Sequence, residues 1–160
     1  MGNSNLKFVI YDFRIQLFLD SQDVCLKIEK DFSYFIRLNN TQYTKSMSIH
    51  SEKVETIIIQ KGLKATKQSQ NSITYDDGHF RYNDYYGHAL TVLNYKTEEV
   101  KIYYKKENFL HELIYLIILS RSGKFMDQAG LHKIHASAFT INRRSIIFMM
   151  PSQGGKTTTL

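Results

Sequence analysis

The sequence is poor in the residues that staple or punctuate a chain. Of its 160 residues one is cysteine, one is proline and none is tryptophan. Cys25 alone cannot form an internal disulfide, which excludes a disulfide-held secreted scaffold; the expected setting is the reducing cytoplasm. With Pro151 the only proline, little interrupts strand formation. Long hydrophobic runs are also missing. The longest, Leu113 to Leu119, sits between Glu112 and Arg121 and is far too short to span a bilayer, so no membrane partner is expected. The opening Met1-Gly2-Asn3-Ser4-Asn5-Leu6 lacks a charged leader followed by an apolar stretch, so no signal peptide is expected. Myristoylation of Gly2 would want Ser or Thr where Leu6 stands.

What is present suits one globular domain, or one domain with a fragment of another. Hydrophobic residues make up 42%, enough for a core. The formal charge of +6 and a pI near 9.3 favour anionic partners. The lysines are scattered, however (Lys45, Lys53, Lys61, Lys64, Lys67), with acids between many of them. A solvated surface is therefore expected rather than a dedicated nucleic-acid face. The 11 tyrosines and 10 phenylalanines fit a sheet-rich protein.

Strand patterns fill residues 5–105. Leu6 to Tyr11 and Ile15 to Leu19 are β-type runs, and Val24-Cys25-Leu26-Lys27-Ile28 alternates apolar with polar. Phe32 to Leu38 and Val54 to Ile59 are further predicted strands. Two hairpins follow. The first turns at Asp76-Asp77-Gly78, where Asp-Gly supplies positive φ. The second joins Ala89 to Tyr95 with Val100 to Tyr104 through Lys96-Thr97-Glu98-Glu99. Residues 60–72 are polar and predict an exposed loop.

The pattern changes near residue 107. Asn108 is the predicted cap of a helix whose Phe109, Leu110, Leu113, Ile114, Ile117 and Ile118 form one apolar face. Gly123 is expected to end or interrupt it, with a further turn from Phe125 to Ala129 closed by Gly130. Ile134 to Ile141 and Ser145 to Met150 then predict a strand pair joined at Asn142-Arg143-Arg144.

The segment that carries chemistry is Ser145-Ile146-Ile147-Phe148-Met149-Met150-Pro151-Ser152-Gln153-Gly154-Gly155-Lys156-Thr157. A P-loop consists of a buried strand, a glycine-rich turn, Gly-Lys-Ser/Thr and a helix. Glycines let backbone N–H groups curl around phosphate oxygens. The lysine sets a point charge on the outer phosphates, and the next hydroxyl can ligate Mg²⁺. A helix N-terminus adds unpaired donors. Here Gly155, Lys156 and Thr157 hold those positions, Ile146 to Met149 supply the expected buried strand, and Met150 stands where the pattern has its first glycine. A Gly-Lys-Thr/Ser triplet alone arises by chance in roughly one chain in ten of this length. The apolar run and the Pro-Ser-Gln-Gly turn before it make the match more specific.

Residues 109–160 resemble the HPr kinase/phosphorylase group and its relatives with a PEP-carboxykinase-like nucleotide core. The resemblance rests on the apolar helix, Gly130-Leu131, Ile134-His135-Ala136-Ser137-Ala138, the hairpin and the loop. His135 lies fifteen residues before Met150 (135 to 150), the offset of that family, and Ser152 matches its serine. The departures are Met150 and Gln153, each in place of a glycine. The resemblance implies ATP and Mg²⁺ as cofactors. Ser152, Gln153, Gly154, Gly155, Lys156, Thr157 and Thr158 would wrap the β- and γ-phosphates, and Thr157 would hold the metal. His135 would be catalytic, near the transferring phosphate. The implied acceptor is a protein or peptide hydroxyl.

The expected class is α+β: a mostly antiparallel, β-rich region over residues 1–105, then over 106–160 a helix and the opening hairpin and P-loop of the kinase-like core. Two other readings stand beside the kinase. One is a non-enzymatic β-rich module that binds a partner protein or nucleic acid, its glycine loop incidental. The other is a P-loop NTPase without a phosphorylated partner. A metal site at His132 and His135 is not expected, since residues three apart on a strand face opposite ways. Asp76 and Asp77 read as turn formers, and Tyr82 to Gly87 as a polar loop with sheet-packing tyrosines. Glu107 and Glu112 are expected on the exposed side of the helix start.

Phosphoryl transfer in that family also needs an aspartate on a later strand, and the sequence ends at Leu160, three residues past Thr157 (157 to 160). Residues 1–160 alone are therefore expected to lack turnover and to bind nucleotide weakly or not at all. Isothermal titration with Mg·ATP checks this, and micromolar affinity is the contrary result.

Overall fold

A computed structural model describes residues 4–38, 41–60, 62–132, 134 and 136–149. Two compact units are present, Met1–Ser122 and Gly123–Leu160. The class is α+β, with a mostly antiparallel, β-rich N-terminal region and a long helix.

In the first unit β1 (Ser4–Ile10) and β2 (Phe13–Leu19), on the two predicted β-type runs, pair as a hairpin. The next two segments depart from expectation. Val24 to Ile28 lies inside a helix, α1 (Gln22–Asp31), and Phe32 to Leu38 leads into a second, α2 (Ser33–Leu38). The Ser21 hydroxyl accepts the Val24 N–H at 3.2 Å and so caps α1. Asp23 sits in its first turn, Lys30 in its last, and Asp23 pairs with Lys27 one turn on. Period decides the outcome: a strand would bury Val24, Leu26 and Ile28, whereas Val24, Cys25 and Ile28 are buried and Leu26 is exposed. Burial raises the Cys25 thiol pKa, with the Glu29 charge adding to it.

The chain returns as β3 (Lys45–Lys53), parallel to β2. This central strand escapes the sequence patterns, because only Met47 and Ile49 are strongly apolar in Lys-Ser-Met-Ser-Ile-His-Ser-Glu-Lys. Val54 to Ile59, predicted as a strand, is not one. β3 pairs on its other side with β8 (Glu99–Tyr104), and that ladder ends at Lys53 with Tyr104. Beyond one further bond, from Val54 N–H to the Tyr104 carbonyl, the segment finds no partner backbone among the described residues. Between them run β4 (Ala65–Gln68), β5 (Ile73–Asp76), β6 (Phe80–Asp84) and β7 (Ala89–Asn94). β4 corrects the expected loop over 60–72. It is a fully exposed edge strand with a register shift between Ala65 and Lys67, features that blunt an edge against further pairing. The eight-stranded order is β1-β2-β3-β8-β7-β6-β5-β4, antiparallel except for β2–β3 and β3–β8.

One sheet face is the inner one. By register it carries Phe8, Ile15, Leu17, Met47, Ile49, Val100 and Ile102, all buried. Phe32, between α1 and α2, stacks on Phe8 with ring centres 5.1 Å apart. A 3₁₀ turn, Glu107–Phe109, opens α3 (Leu110–Gln128), so Asn108 lies within the turn and the capping position falls to Lys106. Leu110, Leu113, Ile114 and Ile118 are its buried face, as their spacing predicts, while Glu107 and Glu112 are exposed. α3 meets α2's neighbourhood through Tyr115 against Phe32, and α1 through His111 Nε2, 2.7 Å from Asp31 Oδ2. It runs through Gly123 without a break, since one glycine costs only about 1 kcal/mol relative to alanine.

The parallel strands are tied at their carboxyl ends by Asp20. Its Oδ1 accepts from Ser51 Oγ at 2.5 Å and from Tyr104 OH at 3.0 Å, and its Oδ2 accepts from Lys53 N–H at 2.8 Å. Tyr104 is 2% exposed, and burial together with this bond pushes its hydroxyl pKa far up, so it stays a donor. Tyr104→Phe is expected to cost about 1–2 kcal/mol, because the carboxylate keeps its other donors. Asp20→Ala is expected to cost more, about 2–4 kcal/mol, by leaving several donors unpaired at once. Urea unfolding measures both, and equal costs would contradict Asp20 as the hub.

Candidate functional site

The second unit carries the strand that leads into the glycine turn. β9 (Ser137–Ile141) and β10 (Arg144–Phe148) form the predicted antiparallel hairpin, with Ile141 opposite Arg144. The turn is Asn142-Arg143, with φ of 49° and 63°. Two residues with positive φ match the right-handed twist of the flanking strands, and asparagine tolerates that region well. Thr140 and Ser145 hydroxyls lie 3.1 Å apart, and Phe139 stacks on Phe148 at 5.6 Å. Ahead of the hairpin, Gly130 (φ 76°) ends α3. The Leu131 N–H bonds the Met126 carbonyl and the Gly130 N–H bonds the Asp127 carbonyl, satisfying carbonyls the helix leaves open.

The expected site residues lie outside the described residues: His135, and Ser152, Gln153, Gly154, Gly155, Lys156, Thr157 and Thr158. The described ladder ends with Ser137 opposite Phe148. In an antiparallel pair these two ends are at the same end of the hairpin. One comes two residues after His135 in sequence, the other four before Ser152. The strand itself departs from the expected buried state. Ile147 is 57% exposed and Met149 71%. Within the second unit, no further strand among the described residues extends this two-stranded sheet. His132 is exposed, with Nδ1 3.2 Å from Asp127 Oδ1. Among the described residues no three His, Cys, Asp or Glu side chains converge as metal ligands.

The first unit holds a cleft that the sequence patterns did not mark. α3 and the inner face of β6, β7 and β8 enclose about 190 Å³. Asn83, Thr91 and Val100 form its floor, and Leu116, Ile117 and Arg121 its helical wall. A chain of bonds crosses the floor: Thr74 Oγ1 donates to Asn83 Oδ1 at 2.9 Å, and Asn83 Nδ2 donates to Thr91 Oγ1 at 3.2 Å. Tyr85 beside them has its hydroxyl pKa raised, mainly by burial. Arg121 forms a two-pronged ion pair with Glu98, its Nε 2.9 Å from Oε2 and its Nη2 on Oε1.

Arg81 borders the same cleft. Its Nε lies 3.2 Å from Asp76 Oδ2, which also accepts the Tyr95 hydroxyl at 2.5 Å. The Tyr95 bond is the main reason the Asp76 carboxyl is held below its usual range. Its bonds from Gly78 N–H and Arg81 add to the effect, while burial opposes it. Asp76 and Asp77 thus keep their expected turn role. Gly78 (φ 84°) donates to Asp76, and His79 and Phe80 donate to Asp77. The Tyr82 to Gly87 segment divides: Tyr82 to Asp84 belong to β6, and Asp84 caps the following turn by accepting the Gly87 N–H at 2.9 Å. The sequence patterns place His79 to Tyr82 in the hairpin strand after Gly78 but give Tyr82 to Gly87 to a loop, so they do not show Asn83 sharing a strand face with Arg81.

Compared with family models, curated proteins and solved structures, the chain matches none.

The depressed Asp76 carboxyl carries a pH signature. A carboxyl lowered by folding adds stability above its unfolded pKa, and that stability is lost as pH falls through the folded value. Tyr95→Phe removes the largest cause. The variant is expected to be less stable than the parent by about 1 kcal/mol above roughly pH 4, with the gap closing in stronger acid. Chemical unfolding across pH 2–7 (roughly, bracketing the usual carboxylate range) checks this. A gap that widens in acid would contradict it.

Proposed function

We propose that this chain contributes the phosphate-gripping strand and turn of an ATP- and Mg²⁺-dependent kinase-like phosphotransferase. The reading follows the resemblance to the HPr kinase/phosphorylase group, with a protein or peptide hydroxyl as acceptor. Its main support is the join between β10 and the sequence that follows. A strand runs to Phe148, and Gly154-Gly155-Lys156-Thr157 comes within the next nine residues (148 to 157). A second support is that the Ser137 and Phe148 ends share one end of the hairpin. In sequence, His135 precedes Ser137 and the glycine run follows Phe148, the two residues paired at that end. The aliphatic residues of β10, with Met149 just beyond it, point the same way. Ile146, Ile147 and Met149 suit a strand built to be covered on both faces.

In this reading the backbone N–H groups from Ser152 to Thr158 receive the β- and γ-phosphate oxygens. Their fixed dipoles need no reorganisation when charge moves. Lys156 holds its ammonium against the outer phosphates, and His135 sits beside the phosphoryl group in transfer. The Thr157 hydroxyl is a hard oxygen donor of the kind Mg²⁺ takes. When bound, that ion would neutralise negative charge on the phosphates during transfer. Met150 and Gln153 stand where the family has glycines, a departure from its pattern.

Lys156→Ala in the complete gene product is expected to lower phosphate transfer from γ-labelled ATP to its partner by at least about 10²-fold. The melting temperature without nucleotide is expected to stay unchanged. Undiminished transfer by the variant would refute the proposal. Lysine-dependent hydrolysis of ATP with no labelled partner would favour a plain NTPase instead.

A further inference from the structure

We propose that the cleft between α3 and the inner face of β6–β8 is a binding site for a small organic carboxylate with a short apolar body. The proposal is independent of the kinase reading and concerns the first unit alone. It begins with a change in composition across one sheet face. Under the helices β2, β3 and β8 carry Ile15, Leu17, Met47, Ile49, Val100 and Ile102. Continuing on the same face by register, Ile102 meets Thr91, Thr91 meets Asn83, and Asn83 meets Thr74. A helix-facing sheet surface gains nothing in stability from polar side chains, which must be hydrogen-bonded to be tolerated there. Here they are bonded to one another, and α3 stands off enough to leave about 190 Å³. That space is smaller than a drug-sized pocket and matches a compact molecule.

The lining sets the chemistry. Leu93, Val100, Leu116 and Ile117 give an apolar wall. Arg81 and Arg121 bring two guanidinium groups, each with five N–H donors and no acceptor. Arg81 engages Asp76 only through Nε, and Arg121 engages Glu98 through Nε and Nη2. The remaining guanidinium protons, with the second Asn83 Nδ2 proton, have no protein acceptor among the described residues. Donors thus outnumber acceptors. Asp76 and Glu98 already balance the two cations, so an added anion is held by hydrogen bonds alone, which disfavours the doubled charge of a phosphate dianion more than the single charge of a carboxylate. A single carboxylate can instead take the unused protons in charge-assisted bonds. Its hydrocarbon part then covers the apolar wall, including Leu116, which is 52% exposed without it.

The test is a titration of the isotope-labelled 160-residue chain with benzoate, followed by two-dimensional amide NMR. Benzamide, of the same shape but uncharged, serves as the comparison. Saturable shifts are expected at Leu93, Val100, Leu116 and Ile117, with Kd on the order of 1 mM for so small a ligand. Benzamide is expected to bind about tenfold more weakly. Arg81→Gln changes a side chain 47% exposed, so the fold should survive it. It is expected to bring benzoate down to the affinity of benzamide while leaving benzamide unchanged. Leu116→Ala, also exposed, is expected to weaken both ligands. Equal binding of benzoate and benzamide, shifts confined to other surfaces, or no saturation would each overturn the proposal.

Discussion

The first unit depends on β3 lying between two parallel neighbours. β2 and β8 are far apart in sequence, and neither can complete an inner face without the strand that joins them. Ile49 has Leu17 on one side and Val100 on the other, and all three are buried. Asp20 closes the arrangement at the carboxyl ends. One carboxylate holds the end of β2 to Ser51 and Lys53 of β3 and to Tyr104 of β8. A charge placed there is tolerated because the surrounding donors satisfy it. The same donors would be stranded without it.

From that centre the rest of the unit follows by neighbour relations. The parallel return from β2 to β3 needs a crossover, and the residues between them supply it as α1 and α2. The antiparallel hairpins β7–β8, β6–β7 and β5–β6 then extend the sheet outward. On the β8 side the inner face grows more polar outward, from Ile102 to Thr91, Asn83 and Thr74, while β2 and β1 on the other side stay apolar. The cleft under α3 lies where that change occurs.

Legibility in the sequence followed the strength of local signals. The hairpins at Gly78 and at Asn142-Arg143, and the apolar face of α3, could be read because turn chemistry and helical period act within a few residues. β3 was missed because Met47 and Ile49 are too sparse a pattern to distinguish a central strand from a loop. α1 was misread because Val24, Leu26 and Ile28 alternate as well as any strand. Only the Ser21 cap and the burial of Cys25 in place of Leu26 decide for the helix. Val54 to Ile59 has strand-like residues but no strand neighbour among the described residues, and pairing is a property of the whole sheet.

The candidate phosphate site and the cleft divide along the same line. The Gly-Gly-Lys-Thr motif and the strand before it are contiguous, so the sequence by itself determined that reading, along with the α+β class, the turns and the apolar stripe of α3. Tertiary structure alone decided the strand order, the parallel pairings, the Asp20 hub and the cleft that unites Arg81, Asn83, Thr91 and Arg121. Those features join residues tens of positions apart. Such contacts depend on which strand neighbours which, and local periodicity carries no information about that.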